Sequence, residues 1–401
     1  MTAASSGPDS TVARALRDRK KAQLGFIALA SHDWNDQWLG RQQVMSRIAK
    51  RFHVVWSGPA HEWREIPGRL RSGPATEQPV AGLPMLHAYR PEAYLPQLYR
   101  PRALAKFLLQ NRLKHARSIL EANGCTRVLL SIWNPQFANV LPLVEHDMSM
   151  YHINDEYSYS PVDLPISEEE RVLMADADEV FIHSPAIMAK KGKYCSSATL
   201  TPNGVDFDAF ANARPLPDAL AAIKGPRIGY SGFLKIQLNW ELLFDVAQQN
   251  PQWSFVFVGK PLDQPGLGDA LTRIDALPNV HLLGGKSSVE LSAYPQHFDV
   301  CMLPYRVDDY TKYIDPLKLG EYMASGRPAV GTPILPLQEV AGLIALADTP
   351  EEWRHAIEAA LEPAANTAAE RARRQSWART RTWDAIVETI LNKVEQHLGP
   401  F

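Results

Sequence analysis

Residues 315–328, which read DPLKLGEYMASGRP, decide how this chain is interpreted. Asp315 is suited to cap a helix and Pro316 to occupy its first position, which places Lys318 in the first turn. A lysine is unfavourable there, because the N-terminus of a helix already carries partial positive charge. Glu321 follows three residues later on the same helical face. The pattern predicts an anion held by the helix N-terminus and Lys318, and an ordinary surface ion pair is the alternative.

The size and composition of the chain indicate a globular protein with more than one domain. Its 401 residues exceed what a single ordinary core accommodates. A content of 45% hydrophobic and 21% charged residues is typical of a soluble protein. The net charge of −2 gives no reason to expect a nucleic acid partner.

The chain has no feature of an exported or membrane-spanning protein. Cys125, Cys195 and Cys301 are odd in number and far apart, which indicates reduced thiols in a reducing compartment. No run of apolar residues is long enough to span a membrane, and the N-terminus has no apolar signal core. We expect a cytoplasmic protein in which residues 1–23 form a flexible tail.

Short apolar runs alternate with helical patterns through the first half of the chain, which predicts a doubly wound α/β sheet. The expected strands are residues 24–30, 53–56, 85–88, 127–132, 148–153 and 179–182. Ligands of such sheets lie at the carboxyl ends of strands. Polar and aromatic residues follow three of these strands, namely His32, Asp33, Trp34, Trp133 and Asp155. Each is a candidate ligand contact, with an ordinary loop or capping role as the alternative.

A second α/β alternation begins after a turn and a linker rich in proline. The turn reads TPNGVD over residues 201–206, and a strand followed by Ser231-Gly232 opens the second half. Residues 364–398 are expected to be helical. The predicted division is an N-terminal domain at 24–210, a linker at 211–226, a second domain at 227–380 and a C-terminal helix at 381–401.

Three motifs of the chain resemble those of GT-B glycosyltransferases, in particular family 4 and related inverting bacterial exopolysaccharide glycosyltransferases. They are PNGVD at residues 202–206, GYSG at residues 229–232, and PY at residues 304–305 with the block at residues 316–328. The resemblance implies two Rossmann-like domains facing across a cleft, with the last helix crossing back to the N-terminal domain. It implies that the domain at 24–210 binds the acceptor and that the domain at 227–380 binds the nucleotide sugar. It implies a nucleoside diphosphate sugar as donor substrate, with no cofactor and no metal ion.

The resemblance also implies roles for individual residues. The expected donor-binding residues are Gly232, Lys235, Tyr305, Asp315, Pro316, Leu317, Lys318 and Glu321. The residues expected to contact the acceptor are His32, Asp33, Trp34 and Trp133. A diphosphate leaving group needs preorganised donors, which Lys318 and the Gly232 loop would supply. Glu321 would accept hydrogen bonds from the ribose hydroxyls.

Two departures from the family pattern bear on the mechanism. Family 4 members often carry a glutamate eight positions before the one that corresponds to Glu321, and Tyr313 stands there instead. Phe233 and Leu238 stand where many members have an arginine and a lysine. Inverting relatives use an aspartate base in the N-terminal domain, which Asp155 resembles. The sequence leaves the stereochemistry, the sugar and the base open.

Residues 89–117 form a basic segment with interleaved aromatic residues. Seven lysine or arginine residues occur there against one acid, together with Tyr89, Tyr94, Tyr99 and Phe107. Such a surface can dock on an anionic membrane, which suits a polyprenyl-linked acceptor and a peripheral location. A solvated helix face is the alternative.

The sequence thus predicts a glycosyltransferase of cell-envelope or exopolysaccharide assembly, with a glycan or lipid-linked acceptor. Two alternatives stay open. One is a nucleotide-sugar 2-epimerase on the same fold, and the other is a non-catalytic nucleotide- or glycan-binding scaffold.

Overall fold

The structure is a computed structural model that describes residues 24–36, 38–59, 76–91, 101–159 and 162–401. The expected tail at residues 1–23 lies outside the described residues. The chain divides into two compact units. Unit 1 takes the described residues within Met1–Ser158, Leu164–Thr201 and Ile386–Phe401, and unit 2 those within Tyr159–Asp163 and Pro202–Ala385.

Unit 1 is built on an eight-stranded sheet with the order β3-β4-β2-β1-β5-β6-β7-β8. Its strands are β1 Leu24–Leu29, β2 His53–Ser57, β3 Thr76–Val80, β4 Leu83–Arg90, β5 Arg127–Ile132, β6 Met148–Ile153, β7 Glu179–Ile182 and β8 Ala198–Leu200. All neighbours pair in parallel except β3 and β4. Every residue of β1 and β6 is buried, as expected of a parallel sheet covered on both faces.

Strand β3 was not predicted from the sequence. It pairs antiparallel with β4 at the edge of the sheet and contains Pro79. Proline cannot donate to a sheet hydrogen bond, so it is confined to edges, and it weakens the strand signal in the sequence.

Helices connect the parallel strands of unit 1. They are α1 Gly40–Ile48, α2 Arg102–Ala122, α3 Glu168–Asp176 and α4 Pro185–Lys191. Ser167 caps α3 by accepting from the Glu170 N–H at 3.2 Å, and three glutamates lie in its first turn. No helix among the described residues is long and apolar enough to cross a membrane.

Unit 2 contains a six-stranded parallel sheet with the order β11-β10-β9-β12-β13-β14. Its strands are β9 Arg227–Ser231, β10 Ser254–Val258, β11 Val280–Leu282, β12 Val300–Leu303, β13 Ala329–Gly331 and β14 Ala345–Leu346. Its helices are α5 Phe207–Ala211, α6 Asp218–Ala221, α7 Trp240–Gln249, α8 Leu267–Asp275, α9 Ser288–Leu291, α10 Leu317–Ser325, α11 Leu335–Gln338, α12 Pro350–Leu361 and α13 Ala368–Arg379. The apolar faces of these elements form one continuous core.

Two helices differ from their predicted extents. The pattern of residues 288–296 in the sequence predicts a single helix, but α9 ends at Leu291 and a 3₁₀ helix follows at Pro295–His297. Pro295 has no N–H to donate, so it cannot make the α-helical hydrogen bond to the carbonyl four residues before it. The helix expected at 364–398 is interrupted at residues 380–382, because Thr382 accepts from the Ala385 N–H at 3.2 Å and so begins a new helix.

This new helix, α14 (Trp383–Leu398), belongs to unit 1 from Ile386 onward. Glu388 forms an ion pair with Arg51, and Lys393 Nζ lies 3.7 Å from Glu179 Oε2. The Phe401 ring meets that of Phe52 at 5.4 Å. The end of the chain therefore packs with the unit that the first half of the chain forms.

Candidate functional site

Two glycines in unit 2 bring a loop against Lys318. Gly232 follows β9 with a φ of +146°, a conformation that favours glycine. A Cβ at Gly232 would overlap the ε-carbon of Lys318, and a Cβ at Gly259 would overlap the Gly232 carbonyl. The sequence therefore permits close approach of backbone and lysine at the carboxyl end of β9, where ligands of parallel sheets lie.

Lys318 and Glu321 form an ion pair on α10. Lys318 Nζ lies 3.0 Å from Oε1 and 2.8 Å from Oε2 of Glu321, and both side chains are only 16% exposed. Burial raises the pKa of Glu321, and the Lys318 charge acts in the opposite direction. The two predicted donor ligands are therefore brought together, with the lysine beside the Gly232 loop.

Helix α10 does not begin as the sequence predicted. Pro316 is the N-cap and makes no side-chain cap, so Lys318 is the second helical residue rather than the third. Asp315 does not cap the helix because it holds another segment. Its carboxylate accepts from the Asn203 N–H at 2.5 Å, and the Asn203 amide donates to its carbonyl at 2.8 Å. The N-cap of α10, which precedes the first helical residue Leu317, thus offers no side-chain acceptor to the first N–H groups of the helix.

Two buried polar atoms in the segment 231–237, which includes this loop, have no hydrogen-bond partner among the described residues. Ser231 Oγ is fully buried and has no hydrogen-bond partner, and neither has Gln237 Oε1. The Ser231 N–H itself donates to the Tyr322 hydroxyl at 2.9 Å. Tyr322 was missed in the sequence, although it lies one turn after Lys318. Unsatisfied buried groups are rare in native proteins and are a feature of ligand sites.

Tyr305 and Lys235, two further predicted donor ligands, pack on each other. Lys235 Nζ lies 5.5 Å from the centre of the Tyr305 ring, which is 3% exposed. Burial raises the pKa of Tyr305. The Arg306 N–H donates to the Gln237 carbonyl at 2.8 Å, which joins the two segments that carry these side chains.

Tyr313, which stands where family 4 members often have a glutamate, binds a carboxylate from elsewhere in the chain. Its hydroxyl lies 3.0 and 2.9 Å from the two carboxylate oxygens of Asp163. Lys312 Nζ also lies 3.3 Å from Asp163. Asp163 belongs to Tyr159–Asp163, the short segment of the first half of the chain that is part of unit 2. A carboxylate is therefore present beside this position although the sequence block lacks it.

The residues predicted to contact the acceptor in unit 1 differ in their exposure. His32 is exposed and Asp33 is partly exposed. Trp34 is buried between Trp38 and Trp56, at ring distances of 5.3 and 5.1 Å. Trp38, which was not singled out in the sequence, is 42% exposed.

Trp133 is buried as well, in a ring stack at the carboxyl ends of β5 and β6. It lies 3.8 Å from the His152 ring at an angle of 6°. Burial lowers the pKa of His152 to about 3, so the ring is neutral. The Trp133 indole nitrogen is buried and has no hydrogen-bond partner. Contact with an acceptor stays a prediction for all four residues.

The two neighbouring acids that follow β6 differ in their exposure to solvent. Asp155 is exposed and accepts from the Glu156 N–H at 2.8 Å. The Glu156 side chain is fully buried and lies 2.9 Å from Lys191 Nζ. Only Asp155 is thus accessible to a substrate.

The basic segment at residues 89–117 is less exposed than the sequence predicted. Tyr89 and Arg112 are buried, and burial lowers the pKa of Arg112 to about 10. Tyr94 and Tyr99 lie outside the described residues. Four of the exposed residues on α2 are large apolar or basic side chains. They are Leu104, Lys106, Phe107 and Lys114.

Metal binding has no obvious site in the part of the chain that the structure describes. No group of three or more His, Cys, Asp or Glu side chains there is placed to hold a metal ion.

Part of the chain is similar in sequence to known glycosyltransferases. Residues 226–363 match the family model for glycosyl transferases group 1. Over 133 residues the chain is 32% identical to the putative teichuronic acid biosynthesis glycosyltransferase TuaH of Bacillus subtilis (strain 168), which is 32% of this chain and 33% of TuaH. The match therefore spans about a third of that relative.

Two solved structures are similar over nearly the whole chain. One is the E. coli trehalose-6-phosphate structure bound with UDP-2-fluoro glucose, with a TM-score of 0.66, 11% identity and coverage of 93% of this chain and 99% of that one. The other is the UDP-forming α,α-trehalose-phosphate synthase of Burkholderia xenovorans in complex with glucose-6-phosphate, with a TM-score of 0.66, 12% identity and coverage of 93% and 100%. The chain has the GT-B fold, and the predicted resemblance is confirmed.

Proposed function

From a GT-B fold whose second half matches group 1 glycosyltransferases, we propose that this protein is a glycosyltransferase. It moves a sugar from a nucleoside diphosphate sugar to a glycan or lipid-linked acceptor in cell-envelope or exopolysaccharide biosynthesis. The similarity of residues 226–363 to a family of glycosyltransferases supports a donor site in unit 2. The TuaH relative, named for teichuronic acid biosynthesis, supports an envelope pathway.

The observation that carries the proposal is the approach of Lys318 to the Gly232 loop. Departure of a nucleoside diphosphate creates negative charge that preorganised donors must stabilise. Lys318, the uncapped start of α10 and the loop backbone supply such donors at one place. Ser231 Oγ, buried without a partner, is a further donor.

Glu321 provides the complementary acceptor. Its carboxylate pairs with Lys318 in the absence of substrate, so the site is held in place before the donor binds. In the complex, Lys318 donates hydrogen bonds to the diphosphate as well as to Glu321. Glu321 then also accepts hydrogen bonds from the ribose hydroxyls. Leu317 and Pro316 position the start of the helix, while Lys235 and Tyr305 line the nucleotide side.

On the acceptor side, Asp155 acts as general base for the attacking hydroxyl, and no metal ion or cofactor takes part. Its position after β6 and its exposure support this role. The donor base is uridine or guanosine. Uridine is the first to test, because the E. coli structural neighbour was bound with UDP-2-fluoro glucose.

We further propose peripheral attachment to the inner face of the cytoplasmic membrane through α2. Exposed Leu104 and Phe107 lie on the same helix as exposed Lys106 and Lys114. Apolar side chains that insert and cations that meet anionic lipids are the combination that interfacial helices use. Such attachment would bring the enzyme to a polyprenyl-linked acceptor.

A thermal-shift screen of the parent protein and Lys318→Ala against UDP, GDP, ADP, CDP and dTDP tests the proposal, since a ligand that binds the folded state raises its apparent stability. We expect one nucleotide to stabilise the parent and to lose its effect on the variant. Nucleotide release from the cognate sugar nucleotide should then require an acceptor. Release or sugar inversion without an acceptor would support an epimerase, and binding without any turnover would support a scaffold.

A further inference from the structure

Arg41 in unit 1 is a partly buried cation that no carboxylate of the described residues contacts directly. It lies in the first turn of α1, and its Nη2 donates to His32 Nδ1 at 2.8 Å. Its Nε is buried and has no hydrogen-bond partner. Within the described part of the chain it forms no salt bridge, and burial is the main cause that lowers its pKa. A charge withdrawn from water is costly unless it is paired, and the Asp36 carboxylate acts on Arg41 without contacting it, so the guanidinium can still accept a directly bound anion.

The nearby acids are engaged elsewhere. The Asp36 carboxylate accepts from the Asp33 N–H at 2.9 Å. Asp33 in turn lies 3.8 Å from Arg90. Neither carboxylate neutralises the Arg41 guanidinium by direct contact.

The start of α1 adds to the positive potential around Arg41. No acidic residue lies in its first turn, and the side chain of its N-cap, Leu39, has no acceptor atom. The N-cap N–H of Leu39 donates to Gln42 Oε1 at 3.1 Å, whereas the N-cap side chain offers no acceptor to the N–H groups that follow it, which carry partial positive charge. Both features favour an anion at the same place.

His32 completes the arrangement. Arg41 can only donate, so His32 Nδ1 accepts and the imidazole carries its proton on Nε2. Burial, and then the Arg41 charge, lower the pKa of His32, which keeps the ring neutral. The exposed His32 ring thus presents an N–H donor beside the guanidinium.

These groups lie at the strand ends where the acceptor is expected. The backbone N–H of Trp133 donates to the Leu29 carbonyl at 3.1 Å, which joins the end of β5 to the end of β1. The Tyr157 hydroxyl donates to the Trp133 carbonyl at 3.1 Å, and Tyr157 and Arg41 shift each other's pKa. The unpartnered Trp133 indole N–H belongs to the same corner of unit 1.

We propose that Arg41, with His32 and the N-terminus of α1, binds an oxyanion of the acceptor. This inference rests on the proposed function, because it assumes that unit 1 holds the acceptor. The oxyanion is the carboxylate of an acidic sugar or the phosphate of a lipid-linked one. The planar guanidinium can present its two Nη groups, one of which also donates to His32, as a fork that matches the two oxygens of either group.

The test is a titration of the full chain with three probes, namely glucuronate, inorganic phosphate and glucose, followed by NMR. The variants are Arg41→Gln, Arg41→Lys and the control Arg47→Gln. Arg47 lies on the same helix but donates to the Gln43 carbonyl at 3.1 Å. We expect an anion to bind the parent more tightly than glucose does, and Arg41→Gln to weaken that binding about 10- to 150-fold, the range for a charged hydrogen bond.

Each remaining result has a defined meaning. Arg41→Lys keeps the positive charge but lacks the forked guanidinium, so its anion affinity should lie between those of the parent and Arg41→Gln. Arg47→Gln should bind the anion as tightly as the parent does. Preference for glucuronate identifies an acidic sugar, and preference for phosphate identifies a phosphorylated acceptor. Equal anion binding by Arg41→Gln and the parent, or no anion binding by the parent, overturns the inference.

Nucleoside diphosphate affinity is measured on the same samples. It reports on unit 2 and should be unchanged in every Arg41 variant. Intact nucleotide binding with no effect of Arg41 rejects the acceptor inference alone. Absence of nucleotide binding by the parent rejects the proposed function instead.

Discussion

Lys318 and Glu321 are paired one turn apart on α10, with Lys318 Nζ within 3.0 Å of both carboxylate oxygens. The pair lies beside Gly232, where only a glycine leaves room for the lysine chain. A lysine in the first turn opposes the helix dipole, and a partly buried glutamate loses hydration. Two charged groups, each of which lowers the local stability, are thus held together at the carboxyl end of β9. This arrangement is typical of a ligand-binding site rather than of a stabilising surface ion pair.

Lys318→Ala should weaken binding of the nucleoside diphosphate by about 1.5–3 kcal/mol, the range for a hydrogen bond to a charged group. Isothermal titration of parent and variant measures the loss. Lys224, an exposed lysine before β9, provides the matched control as Lys224→Ala. Unchanged donor affinity in Lys318→Ala would contradict a diphosphate contact.

The same variant should lose stability in a pH-dependent way. Burial raises the pKa of Glu321 above its unfolded value, and Lys318 partly opposes this. A carboxyl with a raised folded pKa stabilises the fold below its unfolded pKa, and that contribution is lost as the pH rises through the folded pKa. Without Lys318 the folded pKa rises further, so the free energy of unfolding should fall more at about pH 7 than at about pH 4.

Urea unfolding of parent and Lys318→Ala at the two pH values measures this difference. The sequence alone predicts little change or a gain in stability, because removing the lysine relieves the helix dipole. An equal effect at both pH values would show that the ion pair does not govern the stability of the variant.

The local parts of the site were predictable and the distant ones were not. The shared face of Lys318 and Glu321 follows from their spacing of three residues on a helix. The contact of Tyr313 with Asp163 joins residues that are 150 positions apart, so no local pattern reports it. The burial of Trp34 depends in the same way on Trp56, and the role of Asp315 depends on Asn203. The alternation of strands and helices predicted the two largely parallel sheets, because this pattern repeats over many elements.

Lys191→Met should destabilise the protein by about 3–5 kcal/mol, the cost of breaking a buried ion pair from one side. Lys191 is fully buried, and its Nζ lies 2.9 Å from Glu156 and 2.8 Å from Glu170. Its removal takes the cation from the buried Glu170 carboxylate and leaves the buried Glu156 carboxylate with only the more distant Lys190. Lys190→Met is the control, because Lys190 is 21% exposed and lies 3.4 Å from Glu156. Similar unfolding free energies for the two variants would contradict this account of the cluster.

Replacing Lys106 and Lys114 with glutamine should reduce binding to vesicles that contain anionic lipid, by about 1 kcal/mol per charge near the surface. Co-sedimentation with anionic and with neutral vesicles measures the effect. Lys224→Gln with Lys260→Gln removes two exposed charges from unit 2 and serves as the control. Equal vesicle binding by the Lys106/Lys114 variant and the parent would show that α2 is a solvated face.

Asp155→Asn should lower turnover by about 10²–10⁴-fold while the affinity for the donor stays unchanged, because it removes a general base and keeps the shape of the side chain. The neighbouring Glu156 is not a substitute, since its side chain is buried against Lys191. Steady-state rates and donor titration measure the two effects. A base on the acceptor side implies direct displacement, so the product should have the anomeric configuration opposite to that of the donor. NMR of the product linkage decides this point: retention of configuration would assign the proton to the donor phosphate and leave Asp155 to position the acceptor.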